Sequence, residues 1–168
     1  YPEATPLARE ALALREKALG PDHEQVATSL TYLARLLQAQ GALAEARPLH
    51  ERALAIHERT LGGDHPLVAR DLDRLANLLQ AQGAFAEARP LYERALAVSE
   101  AALGRDHPDV ATSLVNLAEL LRSLGSRAEA KPLYERALVI FEKALGKDHP
   151  VVAECLNGLA WIVNPQGA

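Results

Sequence analysis

One cysteine, Cys155, stands in the 168 residues, so no disulfide can form within the chain. That usage predicts a reducing, cytoplasmic setting. Aromatic residues are scarce, at 4%, and the apolar content rests on alanine and leucine, both strong helix formers. No apolar run of roughly 18 residues occurs, which excludes an α-helical membrane span. No secretory leader is visible. The chain opens on Tyr1 and not on methionine, which reads as a processed product or an excised piece. Charges of both signs are interspersed, and the net charge of −4 argues against nucleic acid as the main partner. A glycine-rich phosphate loop, a nucleophile elbow and a His-Glu-x-x-His motif are all missing. With no catalytic constellation, the expectation is a chain that is not an enzyme and carries no metal or cofactor.

What is there is a repeat. Leu-Gly pairs stand at Leu19, Leu61, Leu103 and Leu145 with the glycine following each, and Asp-His pairs stand at Asp22, Asp64, Asp106 and Asp148. Both series step by 42 residues, and seventeen of the 42 columns hold one residue in all four rows. The expected organisation is a single all-α solenoid domain over 1–168, with units 1–42, 43–84, 85–126 and 127–168 and eight antiparallel helices.

Each row holds two helical patterns, here termed B and A in chain order. In the second row, Ala46, Leu49, Ala53, Leu54, Ile56 and Leu61 form an apolar stripe over a B helix at about 43–61. Gly62 closes it. Asp64 is expected to cap the next helix, with Pro66 in its first turn. Val68, Ala69, Leu72, Leu75, Ala76 and Leu79 mark an A helix at about 65–82. Pro6, Pro48, Pro90 and Pro132 fall about one turn into every B helix and predict a bend there. The invariant alanines, such as Ala34 and Ala46 and their equivalents, allow close helix approach. Short connections and a pair that cannot bury both of its faces require stacking of one pair on the next.

The stretch Ala102-Leu103-Gly104-Arg105-Asp106-His107-Pro108-Asp109-Val110-Ala111 resembles the repeat of kinesin light chains. So do Leu117-Ala118, Gly125, Glu129-Ala130 and Pro132-Leu133-Tyr134-Glu135-Arg136-Ala137-Leu138. The wider pattern is similar to the tetratricopeptide repeat, over the whole chain. The paired asparagines common before the Leu-Ala of that family are replaced here by Thr31-Tyr32, Asp73-Arg74, Val115-Asn116 and Asn157-Gly158. Cargo preferences of kinesin light chains therefore do not carry over. The resemblance implies a right-handed superhelix whose A helices line the concave side, and a scaffold that binds a protein or an extended peptide.

On each A helix, columns spaced i, i+3, i+7 and i+10 share one face away from the leucine and alanine columns. They vary from row to row while the core columns repeat. The candidate peptide-binding residues on this stripe are Thr31, Arg35 and Gln38; Arg70, Asp73, Asn77 and Gln80; Glu119 and Arg122; and Asn157 and Trp161. Its mixed charge points to a peptide read by hydrogen bonds and a few ion pairs. The alternative for each residue is solvated helix surface. Trp161 reads equally as an aromatic anchor or as cover for the last helix.

The repeated histidines sit one per unit, about a helix packing distance apart, so they cannot converge on one metal. Capping and packing of the B–A turn is their expected role. His50 takes the column of Tyr92 and Tyr134 and is expected to pack, and Cys155 is expected to be a buried, inert thiol. Pro165 is expected to stop the last helix. Exposed apolar residues at both ends, Leu7, Ala11, Leu12 and Leu14 at one and Leu156, Leu159, Ile162 and Val163 at the other, raise a second function. In it the chain is a structural or regulatory segment that stacks head to tail or contacts its own neighbouring domains.

Overall fold

A computed structural model describes residues 3–164; Tyr1 and Pro165 lie outside them. These residues form eight helices: α1 (Ala4–Leu19), α2 (Glu24–Ala39), α3 (Leu43–Leu61), α4 (Pro66–Ala81), α5 (Phe85–Leu103), α6 (Pro108–Ser123), α7 (Arg127–Leu145) and α8 (Pro150–Val163). Odd-numbered helices are the B helices and even-numbered ones the A helices. The α3 and α4 limits fall within a residue of those read from the sequence.

Helix ends follow from local chemistry. At the end of α3, Gly62 has φ 87° and ψ 154°, a region that is essentially glycine-only. The next helix starts two residues after the aspartate. Asp64 does not cap α4. His65 does: it is extended, at φ −77° and ψ 141°, and its Nδ1 accepts the Leu67 N–H at 3.2 Å. Asp64 is exposed and one residue too early, whereas the imidazole reaches the second N–H of the helix as an asparagine side chain would. The same bond recurs at His23, His107 and His149, at 3.1, 3.1 and 3.3 Å. Capping is thus the work of the histidine column.

The B helices run unbroken through Pro48, Pro90 and Pro132. Each of these prolines is exposed, and so is the residue four before it: Ala44, Ala86 and Ala128. The carbonyl that each proline leaves without a helical partner therefore faces water, which lowers the cost of the lost bond.

Packing is most extensive between each A helix and the B helix that follows it, and next between the B and A helices of one row. An A helix is therefore covered on two sides. The main core runs through successive helices from Ala8 to Tyr134, through Leu33, Leu36, Leu75, Leu78, Leu117 and Leu120. Successive A helices, α4 with α6 and α6 with α8, also approach one another directly. The B helices are joined instead by long side chains. Arg9–Glu45, Arg47–Glu87 and Arg89–Glu129 form one ladder at 3.0, 2.8 and 2.8 Å. Arg52–Glu16 and Arg94–Glu58, at 2.5 and 2.6 Å, and Arg136–Glu100 form another. Close approach on the A side and wide spacing on the B side curve the stack, so the A helices take the concave face of the superhelix.

Removing one histidine cap deprives a helix start of one bond. We expect His107→Ala to lower the unfolding free energy by about 1 kcal/mol in urea titration, and His107→Asn to keep most of it. A His65→Ala, His107→Ala pair should cost about the sum, because the caps share no partners.

Candidate ligand-binding face

Three cavities lie in succession along the A helices, and each has a different lining. The first, of about 240 Å³, is bounded by α2, α3 and α4 and takes Thr31, Tyr32, Arg35, His57, Arg70 and Arg74. The second, about 340 Å³, takes Arg70, Asp73, Ser99, Asp109, Thr112 and Ser113. The third, about 360 Å³, takes Glu119, Arg122, Glu154, Asn157, Gly158 and Trp161. Eight of the eleven stripe residues picked from the sequence line these cavities: Thr31, Arg35, Arg70, Asp73, Glu119, Arg122, Asn157 and Trp161.

The other three are held by the following B helix. His50 Nε2 lies 2.9 Å from Gln38 Oε1. The Tyr92 hydroxyl lies 2.8 Å from Asn77 Oδ1 and 3.0 Å from Gln80 Oε1 and donates to one of them at a time. Tyr134 repeats the motif by donating to Glu119, which Arg122 also contacts at 2.5 Å. His50, Tyr92 and Tyr134 are buried packing residues whose polar tips fix the stripe from behind. The Tyr134 ring also explains Gly158, where a Cβ would stand 2.5 Å from ring carbons. Trp161 is half-buried, with the guanidinium carbons of Arg122 and Arg127 at 5.3 and 4.5 Å from its ring centre.

Burial sets the electrostatics. It pushes the Asp73 carboxyl up to about 6, against the Ser113 hydroxyl, which donates to Asp73 Oδ2 at 2.8 Å, and the Asn116 amide. It lowers His50 to about 4, so that ring is neutral at pH 7 and donates from Nε2 to Gln38. Burial likewise raises the Cys155 thiol to about 11, consistent with an unreactive side chain.

One pair escaped the sequence reading. His57 and Asp71 are 4% and 1% exposed, and His57 Nδ1 sits 2.5 Å from Asp71 Oδ2. Arg74 donates to the other carboxylate oxygen at 3.1 Å. The equivalent columns hold Arg15 and Ser29, which bond at 2.6 Å, then Ser99 and Ser113, then Phe141 and Cys155, which pack together in an apolar cluster. The signal was present as two columns changing character together along the chain.

The depressed His50 value carries a sign. The unfolded ring gains its proton near 6.5 and the folded ring only near 4, so this group's contribution to stability is lost as pH falls through that window. His50→Tyr installs the residue of the two following rows and removes the titration. The variant should gain on the parent as pH drops from 6.5 to 4, by about 1–3 kcal/mol at the acid end, in urea unfolding across pH.

The tetratricopeptide repeat family model matches residues 1–58, 25–101, 71–138 and 109–167, covering nearly the whole chain. No curated protein matches its sequence. Among solved structures, the nearly identical TPR-like repeats of a kinesin-light-chain-type protein from Podosopora anserina are 32% identical over 95% of this chain and 76% of that one, with a TM-score of 0.80. BtubC (BKLC) from P. vanneervenii is 26% identical over 95% of this chain and 64% of its own, with a TM-score of 0.85. The apo form of RapI shares the fold at 18% identity and a TM-score of 0.78, over 92% of this chain and 54% of that one. Repeat spacing, helix pairing and these matches agree: the chain belongs to the tetratricopeptide repeat family, in its kinesin-light-chain-like form.

Proposed function

We propose that this solenoid is a non-enzymatic scaffold that holds an extended peptide of a protein partner along its A-helix face. The observation that supports the reading is the series of three cavities, each opening between neighbouring A helices. Helices pack about 10 Å apart, and an extended peptide advances about 3.3 Å per residue, so a bound strand would present about every third side chain to the next cavity. Arg35 and Arg70 are exposed on this face and form no ion pair with any described residue. They are therefore available to a ligand at little internal cost. No described helix is long and apolar enough to cross a membrane.

A second reading, head-to-tail self-stacking, is favoured by the exposed apolar residues at the two ends. Leu7 and Leu14 of α1 are 66% and 61% exposed, and Leu156 and Val163 of α8 are 49% and 66% exposed. Repeat equivalence also sets Lys131 of one copy against Glu3 of the next. It sets Glu142 against Glu10, however, where the internal junctions place Glu100 against Arg136. That like-charge contact weakens the stacking reading.

Two measurements separate the readings. Random-peptide display should enrich binders whose retention falls at least about tenfold on an Arg35→Ala, Arg70→Ala variant, an effect on the order of 1.4 kcal/mol. No enrichment, or binders indifferent to the substitutions, would reject the scaffold. Sedimentation across a concentration range should show monomer for the parent chain. If stacking operates at all, Glu10→Arg should strengthen it, and unchanged monomer in that variant rules it out.

A further inference from the structure

The first cavity differs from the other two in chemistry. Three guanidinium side chains line it, Arg35 from α2 and Arg70 and Arg74 from α4. The one carboxylate beside them, Asp71, is already shared between His57 and Arg74. Asp73 and Asp109, the next acids on this face, line the second cavity. The first cavity is therefore left with an excess of positive charge.

Two buried polar atoms at its wall have no hydrogen-bond partner: Thr31 Oγ1 and His57 Nε2. Thr31 is 7% exposed and His57 is 4% exposed, and both residues line the cavity. A buried polar atom left unpaired is costly, so two at one place point to a missing group. Arg35 and Arg70 need a partner of opposite charge, and Thr31 needs an oxygen or a donor. His57 has Asp71 fixed at Nδ1. Its Nε2 is the ring nitrogen left without a partner.

We propose that this cavity binds a phosphoryl group, carried as a phosphorylated side chain on the peptide partner. A carboxylate has two oxygens and one charge, and one guanidinium can satisfy it in a fork. The donors here come from three helices, α2, α3 and α4, and line one cavity, which suits a group with three oxygens and nearly two charges. At about 240 Å³ the space is smaller than sites for whole small-molecule ligands, and it takes a single headgroup. The phosphopeptide part of the proposal rests on the scaffold reading above. The phosphoryl site itself does not.

The test has two arms at low ionic strength, where charge screening is weak. In the first, inorganic phosphate and phenyl phosphate are titrated by calorimetry and by NMR of the His57 ring, with acetate for comparison. Both phosphates should bind more tightly than acetate. Arg35→Gln and Arg70→Gln should each weaken them about tenfold or more, and Thr31→Val, which leaves no charge change, should weaken them severalfold. Arg59→Gln, which removes an arginine paired with Asp22 outside the cavity, should change nothing. No binding up to about 10 mM phosphate, equal loss in Arg59→Gln, or no effect of Thr31→Val overturns the site. In the second arm, a phosphoserine and phosphothreonine peptide library is compared with its unphosphorylated twin. Phosphate binding with no peptide selected defeats the scaffold and leaves the site. Peptides selected equally with and without phosphate defeat the site and leave the scaffold.

Discussion

An A helix in this fold has to be covered twice. Its leucines and alanines form two buried edges, one against the B helix before it and one against the B helix after it. In α4, Val68, Leu72, Ala76 and Leu79 are at most 2% exposed, and the equivalent alanines Ala34, Ala76 and Ala118 are all fully buried. In α8 only Val152, Cys155 and Gly158 are buried, because no described helix follows it. The B helices bury much less of themselves and meet one another through arginine–glutamate pairs of little individual worth. The fold therefore depends on the A–B contact. The remaining A-helix face carries less of the packing, and its columns vary between rows.

That division explains what could be read from the sequence. A period of 42 with seventeen constant columns gave the helices, their order and their breaks, because constancy fell on the columns that pack or turn. Two invariant neighbours, Asp64 and His65, both read as caps from the sequence, and the structure gives the role to His65. Both residues can accept an N–H bond, and only backbone geometry decides which stands at the helix start. The stripe was found by helix geometry, and most of its residues do line cavities. Gln38, Asn77 and Gln80 were not distinguishable from the rest. Their fate depends on whether the column facing them holds a histidine or tyrosine long enough to reach across. His57 and Asp71 were invisible taken singly, since a histidine and an aspartate on helices are usually solvated.

The repeats are equivalent in frame and unlike in interior. The column pair that holds Arg15 and Ser29 becomes His57 and Asp71, then Ser99 and Ser113, then Phe141 and Cys155. The column of His50 passes from Ala8 to Tyr92 and Tyr134. Such pairs differ at every junction, so a B helix docked one unit out of register would leave a buried carboxylate or hydroxyl without its partner. The penalty for that exceeds what the ion-pair ladders outside could return. Polar residues inside a nearly uniform solenoid thus distinguish one junction from the next.

The same individuality gives the concave face a direction. The first cavity carries three arginines. The second adds Asp73 and Asp109 opposite hydroxyls, and the third sets Trp161 among Glu119, Arg122 and Glu154. A repeat array with identical cavities would accept an extended chain in either sense and at any offset. Here a segment slid by one unit would trade a cationic surrounding for an acidic one, and a reversed segment would meet the aromatic end first. With Asp73 and Asp109 beyond Arg70, an anionic group at the first cavity cannot move on to the second without facing like charge. For the proposed peptide, specificity on this face would come as much from that repulsion as from the arginines that attract.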